Sequence, residues 1–200
     1  MAVQVENVEH EQELVALVMT GDQDAFAELV EQYQRAVYNL AYRMLGEAGE
    51  AEDAAQEAFL RAYQHIDRYD SSRPFKTWLL SIASNYCIDK LRKRRLTWLS
   101  IEEPLPPHPA LNSPEADPED ATLIDERHNA VQDMLSELAP EYRAAVVLRY
   151  WYDLSYQEIA ELLDTTESAI KSRLFRARQA LADQLQTNSA ASLVVAVEGI

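Results

Sequence analysis

The stretch Ser155–Leu181, SYQEIAELLDTTESAIKSRLFRARQAL, reads as two short helices joined by a tight turn. Ser155 and Glu158 open it at the spacing of a capping box, in which each side chain satisfies the other's free backbone amide. Tyr156, Ile159, Ala160 and Leu163 then share one inward face. The turn Asp164-Thr165-Thr166 lacks the usual glycine, so Asp164 must supply the left-handed residue, which Asp tolerates better than most. In the second helix Ile170, Leu174, Ala177 and Leu181 make a narrow apolar stripe. Ser168, Lys171, Ser172, Phe175, Arg176 and Gln179 lie broadly opposite. Two helices joined in this way form a helix-turn-helix.

The outer face of the second helix suits DNA. Lys and Arg neutralise phosphates and read guanine edges, and Ser and Gln add short hydrogen bonds. Phe175 has two explanations, contact with a thymine methyl or sugar and burial against a partner. Arg173 and Arg178 flank the apolar stripe and suit phosphate or a neighbouring helix. These cations sit in a chain of 200 residues with formal net charge −16, which by itself opposes binding to phosphate.

That charge is segregated. From Arg73 to Arg95 seven cations face only Asp89, a net +6, whereas Leu96 to His128 carries a net −7. Six of the eight prolines fall between Pro104 and Pro118, where helix cannot be sustained. Residues 97–124 therefore read as an acidic, extended linker. It separates an N-terminal helical domain, residues 10–96, from a C-terminal one, residues 125–186, with a tail at 187–200.

Apolar content of 48%, only four glycines and no β-like alternation give an all-α fold of two small domains. The stretch 21–46 begins after a Gly-Asp cap and stops at Gly46, with Phe26, Leu29, Val30, Tyr33, Val37, Leu40, Ala41 and Met44 on one face. In 50–66 the inward residues are Ala55, Phe59, Ala62 and Ile66, while Asp53, Gln56, Glu57, Arg61 and Gln64 point outward. A third helix from Phe75 places Phe75, Leu79, Ile82 and Tyr86 on one stripe and runs into KLRKRR, residues 90–95. After the linker, 125–138 and 140–153 read as two more helices, with Pro140 in a first turn.

Five cations in the six residues 90–95 exceed what a helix C-terminus needs for its dipole, so nucleic-acid contact joins the capping explanation. Just before them Arg73 and Lys76 are interleaved with Phe75, Trp78 and Asn85, a mixture suited to unstacked single-stranded bases. Phe75 reads as core. Trp78 lies off the inward stripe, where a core and a stacking role are both open.

Other chemistries find no support. A single cysteine, Cys87, in apolar surroundings excludes an internal disulfide and a multi-cysteine zinc site, and reads as a small buried side chain. The four histidines are scattered, no metal-ligand spacing or phosphate-cradling glycine loop occurs, and neither cofactor, metal nor enzyme activity is expected. The acidic N-terminus does not resemble a signal peptide, and no apolar run reaches the ~18 residues of a membrane span. A cytoplasmic protein is expected, its apolar tail frayed or packed as a minor strand.

Together, AEDAAQEAFLRAYQHI, FKTWLLSIASNYCIDKLRKRR and LSYQEIAELLDTTESAIKSRLFRARQAL resemble an extracytoplasmic-function sigma factor of bacterial RNA polymerase. The resemblance implies that 10–96 is sigma region 2, with Asp53, Gln56, Glu57 and Phe59 on the helix that docks on the β′ clamp helices. It assigns capture of the melted −10 element to the loop Asp67–Pro74 and to Arg73, Lys76, Trp78 and Asn85, continued by Arg92, Lys93, Arg94 and Arg95. Residues 125–186 would be region 4, near the β flap, with Ser168, Lys171, Ser172, Phe175, Arg176 and Arg178 on the −35 duplex. The linker would thread the polymerase, and an anti-sigma factor of unknown identity is an expected partner. A dimeric helix-turn-helix repressor or activator is the alternative, but leaves KLRKRR and Trp78 without a role. An adaptor bundle with no DNA role does not explain two separated basic patches.

Overall fold

A computed structural model describes the backbone of residues 2–100 and 129–198, and the side chains of 10–96 and 129–186. The elements are α1 (Ala2–Met19), α2 (Gln23–Leu45), α3 (Ala48–Gln64), a 3-10 turn (Ile66–Arg68), α4 (Phe75–Ser100), α5 (residues 129–136), α6 (Pro140–Trp151), α7 (Tyr156–Leu162) and α8 (Glu167–Glu198). No strand occurs among the described residues, as the all-α reading requires.

The caps follow from the sequence. Asp22 Oδ1 accepts from the amides of Asp24 and Ala25, at 2.9 and 3.1 Å, to start α2. Gly46, at φ 85°, ends that helix by returning its N–H to the Tyr42 carbonyl. Glu47 then caps α3 through the amides of Gly49 and Glu50. The boundary between α2 and α3 is thus two consecutive residues, Gly46 and Glu47, each doing local chemistry.

In the N-terminal half, α2, α3 and α4 pack on one another and α1 lies across α2. Leu29, Val37, Leu40 and Met44 of α2 meet Ala54, Ala58 and Ala62 of α3, whose small side chains let the helix axes approach. The buried side of α4 is Phe75, Leu79, Leu80, Ala83 and Cys87. This corrects the expected stripe, because Ile82 and Tyr86 are only half-buried. The reason is that α4 is covered from two directions, by α2 and α3 and also by α6. Cys87 is fully buried, which pushes its thiol up to about 12.

In the C-terminal half, Ala144, Ala145, Val147 and Leu148 of α6 enclose Ile159 and Leu162 of α7 with Ile170, Leu174 and Ala177 of α8. Leu162 replaces the half-buried Tyr156 and Leu163 as an inward residue of α7.

The halves also bind each other. Arg143 of α6 is buried and donates to the carbonyls of Met44, Ser136 and Leu138. Burial lowers its guanidinium to about 10, still charged at neutral pH. Gln132 donates to the carbonyls of Tyr42 and Arg43, each at 3.1 Å, covering the end of α2 beside Gly46. The Tyr152 hydroxyl donates to the Ala36 carbonyl at 2.5 Å. Buried polar groups paired in this way fix one docking geometry, since slippage would leave them unpaired.

Three expectations change at the ends of elements. Helix α1 was not foreseen; Leu14, Val15 and Val18 bury its inner side. Helix α4 continues to Ser100, four residues into the expected linker, and the remainder of 97–124 lies outside the described residues. Helix α8 runs on to Glu198, so the backbone of the tail is helical there and not a strand.

Candidate nucleic-acid and polymerase interfaces

The capping box at α7 is present in both directions: Ser155 N–H donates to Glu158 at 2.7 Å and Glu158 N–H to Ser155 Oγ at 3.2 Å. Asp164 takes the left-handed conformation, φ 47°, and Thr165 N–H closes the turn on the Ala160 carbonyl at 2.8 Å. Thr166 Oγ1 then accepts from Ala169 N–H at 3.1 Å, capping α8. These three local devices aim α8.

Its outer face is open. Ser168, Lys171, Ser172, Phe175, Arg176 and Arg178 are all exposed, Phe175 at 62%. Five of them, with Tyr156, line an open hollow of about 540 Å³. Lys171 pairs with Glu167 at 2.8 Å, and that bond raises its ammonium above the ordinary value. Arg176 donates to the Tyr142 hydroxyl at 3.2 Å, and Arg178 donates back to the Leu174 carbonyl at 3.3 Å. Such exposed pairs are weak and exchange readily for phosphate or base acceptors.

The second group lies around the start of α4. Tyr69, Phe75 and Trp78 form an aromatic cluster with ring centroids 5.3–5.6 Å apart. The Tyr69 hydroxyl donates to the Arg73 carbonyl, closing the loop before α4. Trp78 is half-buried: it packs on the core and also reaches an open hollow of about 530 Å³. Asn85 shares that hollow, together with Arg61, His65 and Arg68. The sequence reading did not bring these last three to the site. Arg61 and Arg68 bring charge to a hollow that Glu57, the partner of Arg61, also lines, and the grouping is visible only once α3 and α4 are packed.

The cations here are engaged. Arg73 stands 3.9 Å from Glu161 of α7, and Lys76 lies over the Tyr152 ring at 5.9 Å. Arg92 reaches Glu141 of α6 at 2.6 Å and Asp89 at 3.6 Å. Burial alone would raise the Glu141 carboxyl, but its backbone bond and Arg92 hold it below the ordinary range. Arg94 and Lys90 both pair with Glu50 of α3. Lys93 and Arg95 are exposed. The basic run is therefore tied in part to its own protein.

On α3, Asp53 and Gln56 are exposed, and Glu57 is half-buried and paired with Arg61 at 2.7 Å. Phe59 is buried, edge-on to Phe26 at 6.5 Å, so in this state it supports the helix from beneath. Leu60, 51% exposed, stands one turn beyond Gln56 and offers an apolar contact that the sequence reading passed over.

Two family profiles match the chain: Sigma-70 region 2 at residues 29–97 and Sigma-70, region 4 at residues 128–181. The chain is 43% identical over 174 residues to the ECF RNA polymerase sigma factor SigW of Bacillus subtilis, covering 84% of this chain and 93% of that protein. It is 33% identical to the ECF RNA polymerase sigma-E factor of Escherichia coli, over 88% of this chain and 94% of the other. Among solved structures, CnrH in complex with the cytosolic domain of CnrY has a TM-score of 0.65 at 26% identity, over 89% of this chain and 98% of that one. The sigma factor RpoE of Bartonella quintana, in complex with the anti-sigma factor NepR, has a TM-score of 0.57 at 25% identity, over 80% and 96%.

Proposed function

We infer the work of this chain from one premise: it belongs to the extracytoplasmic-function sigma factors of bacterial RNA polymerase. It is an alternative-sigma initiation factor that binds core polymerase, directs it to particular promoters and promotes melting of the −10 region. Sigma factors are non-enzymatic, and the independent operator-binding repressor is not favoured. An anti-sigma partner is inferred by analogy with RpoE, whose structure holds the anti-sigma factor NepR. Work with polymerase puts the protein in the cytoplasm.

The assignment of residues rests on one observation: two separate surfaces, each combining cations with an aromatic and sharing no residue, lie on a single chain. We assign Lys171, Ser172, Phe175 and Arg176, flanked by Ser168 and Arg178, to the −35 duplex, where a helix of this kind enters the major groove. Arg73, Lys76, Trp78, Asn85 and the cations Arg92–Arg95 are assigned to the −10 strand, bases stacking while cations hold the backbone. Asp53, Gln56 and Glu57 are assigned to the polymerase clamp, with Phe59 holding their helix from below. Residues 10–96 and 125–186 are the two working domains.

Electrostatics explains why polymerase is needed. Net charge −16 repels duplex DNA, and the stretch around the recognition helix is only +2. Polymerase would hold both domains on one promoter, where effective concentration makes weak contacts sufficient. Run-off transcription with added core polymerase tests the reading. Promoter-specific initiation that requires this chain is expected. Tight, specific duplex binding by the free protein without initiation would overturn it.

A further inference from the structure

Glu11 of α1 is buried, 8% exposed, and both of its carboxylate oxygens are used. Oε2 accepts from the Tyr33 hydroxyl of α2, and Oε1 accepts from Phe75 N–H at 3.0 Å, across 64 residues of sequence. Phe75 is the first residue of α4, so this amide has no acceptor within its own helix. The preceding residue is Pro74, which carries no capping oxygen. A carboxylate from another helix thus does what a neighbouring Ser or Asp does elsewhere in this chain, at Asp22 and Ser155.

The arrangement is costly in a way that local capping is not, because a buried carboxylate must be fully paired to be tolerated. Its effect is also different. A local cap moves with its helix, whereas Glu11 ties the first turn of α4 to a fixed point on α1 and α2. That turn carries Arg73 and Lys76 at its edge and Trp78 one turn on, with Tyr69 edge-on to Phe75 and donating to the Arg73 carbonyl. Tyr33 packs on the same Phe75 ring, 5.8 Å between centroids. Burial, then Glu11 itself, raises the Tyr33 hydroxyl well above its ordinary value, so it stays a donor at neutral pH.

We propose that Glu11 is a positioning residue for capture of the melted promoter strand: with Tyr33 it sets where the first turn of α4 lies, and so where Arg73, Lys76 and Trp78 are presented. The proposal rests on the −10 assignment above.

The test uses reconstituted holoenzyme. Oligonucleotides are enriched from a random single-stranded pool by wild-type holoenzyme, with core polymerase alone as baseline. Affinity for the enriched strand is then measured for E11A, E11Q and Y33F holoenzymes, together with affinity for core and hydrogen exchange at the Phe75 amide. E11A is expected to bind the strand about tenfold more weakly with core affinity unchanged, and to speed exchange at Phe75 about tenfold. E11Q keeps an acceptor for Phe75 and should recover strand binding to within about threefold of wild type. Equal strand binding by wild type and E11A overturns the proposal, as does a loss of core affinity in the same proportion. Should E11A not fold, Y33F carries the test: about threefold weaker strand binding supports it and no change overturns it. Failure of the −10 assignment is separate, and shows as a wild-type holoenzyme that enriches no strand over core alone.

Discussion

The first turn of α4 and the outer face of α8 carry similar side chains, cations beside an aromatic, in opposite surroundings. At α4 the aromatic Trp78 packs at a tilt against Tyr69 and Phe75, and Arg73, Lys76, Arg92 and Arg94 each have a partner elsewhere in the fold. Three of those partners, Glu161, Tyr152 and Glu141, belong to the C-terminal half. At α8 the aromatic Phe175 stands in solvent, and the pairs of Lys171 and Arg178 stay on their own helix. On the assignments proposed above, the lesson concerns timing. A duplex reader needs only to be rigid and exposed, because the groove it enters is already formed. A reader of unstacked bases needs a site prepared in advance, because the strand brings no shape of its own.

The sharpest test of that contrast exchanges nothing but a phenylalanine ring. Phe75→Ala should cost about 3–5 kcal/mol of stability in urea unfolding, since it opens a cavity among fully buried neighbours. Phe175→Ala should stay within about 0.5 kcal/mol of wild type and show its effect in promoter use alone. Equal stability losses would erase the distinction between the two surfaces.

Next in size is Arg143→Ala, which leaves the carbonyls of Met44, Ser136 and Leu138 without their charged donor. A loss of about 3 kcal/mol is expected, together with looser docking of the halves seen as a larger radius in scattering. An unchanged radius would mean that the remaining contacts suffice to hold the halves together.

Arg176→Ala tests the open surface. Its bond to Tyr142 is exposed and contributes little to folding, so stability should hold while promoter discrimination falls by about 1–3 kcal/mol. In-vitro transcription from matched promoter variants measures this, and an unaltered preference would remove Arg176 from the reading set.

The smallest effect is at the base of the recognition unit. Ser155→Ala should cost about 1 kcal/mol by removing half of the capping box. The Ser155 bonds hold the Glu158 carboxyl below its ordinary value, so this part of their contribution is in place above the unfolded value and disappears as pH falls through the lower folded one. Thermal melts should therefore show the gap between wild type and variant narrowing as pH falls through the lowered Glu158 value without closing, because Ser155 Oγ still accepts from Glu158 N–H in the wild type.

Legibility in the sequence followed distance along the chain. The capping box, the left-handed Asp164, the stop at Gly46 and the open face of α8 all depend on residues a few positions apart, and each could be read directly. What escaped is long-range. Helix α1 hides in an acidic stretch, and among its described residues the inward set mixes Leu14, Val15 and Val18 with the carboxylate of Glu11. The pairing of Arg92 with Glu141 spans the linker, and Glu141 lies outside the acidic stretch 96–128, so no feature of composition announces it. The stripe on α4 was misread because one periodicity describes one buried face, and this helix is covered on two. Phe59 was read both as inward and as a partner contact; its burial against Phe26 favours the first in this state.

Two glycines with the same handedness have different futures under mutation. Gly21, at φ 95°, has nothing within 4 Å of the place a Cβ would take, so drift there meets backbone strain alone. At Gly46, φ 85°, the same atom would come within 3.3 Å of the Gln132 amide nitrogen that covers the end of α2. A change at that position is penalised twice, once in the helix it ends and once in the joint between the halves. Even a residue that accepts left-handed backbone, such as asparagine, escapes only the first penalty. The joint thus narrows what evolution can do at a site whose own helix would have tolerated more.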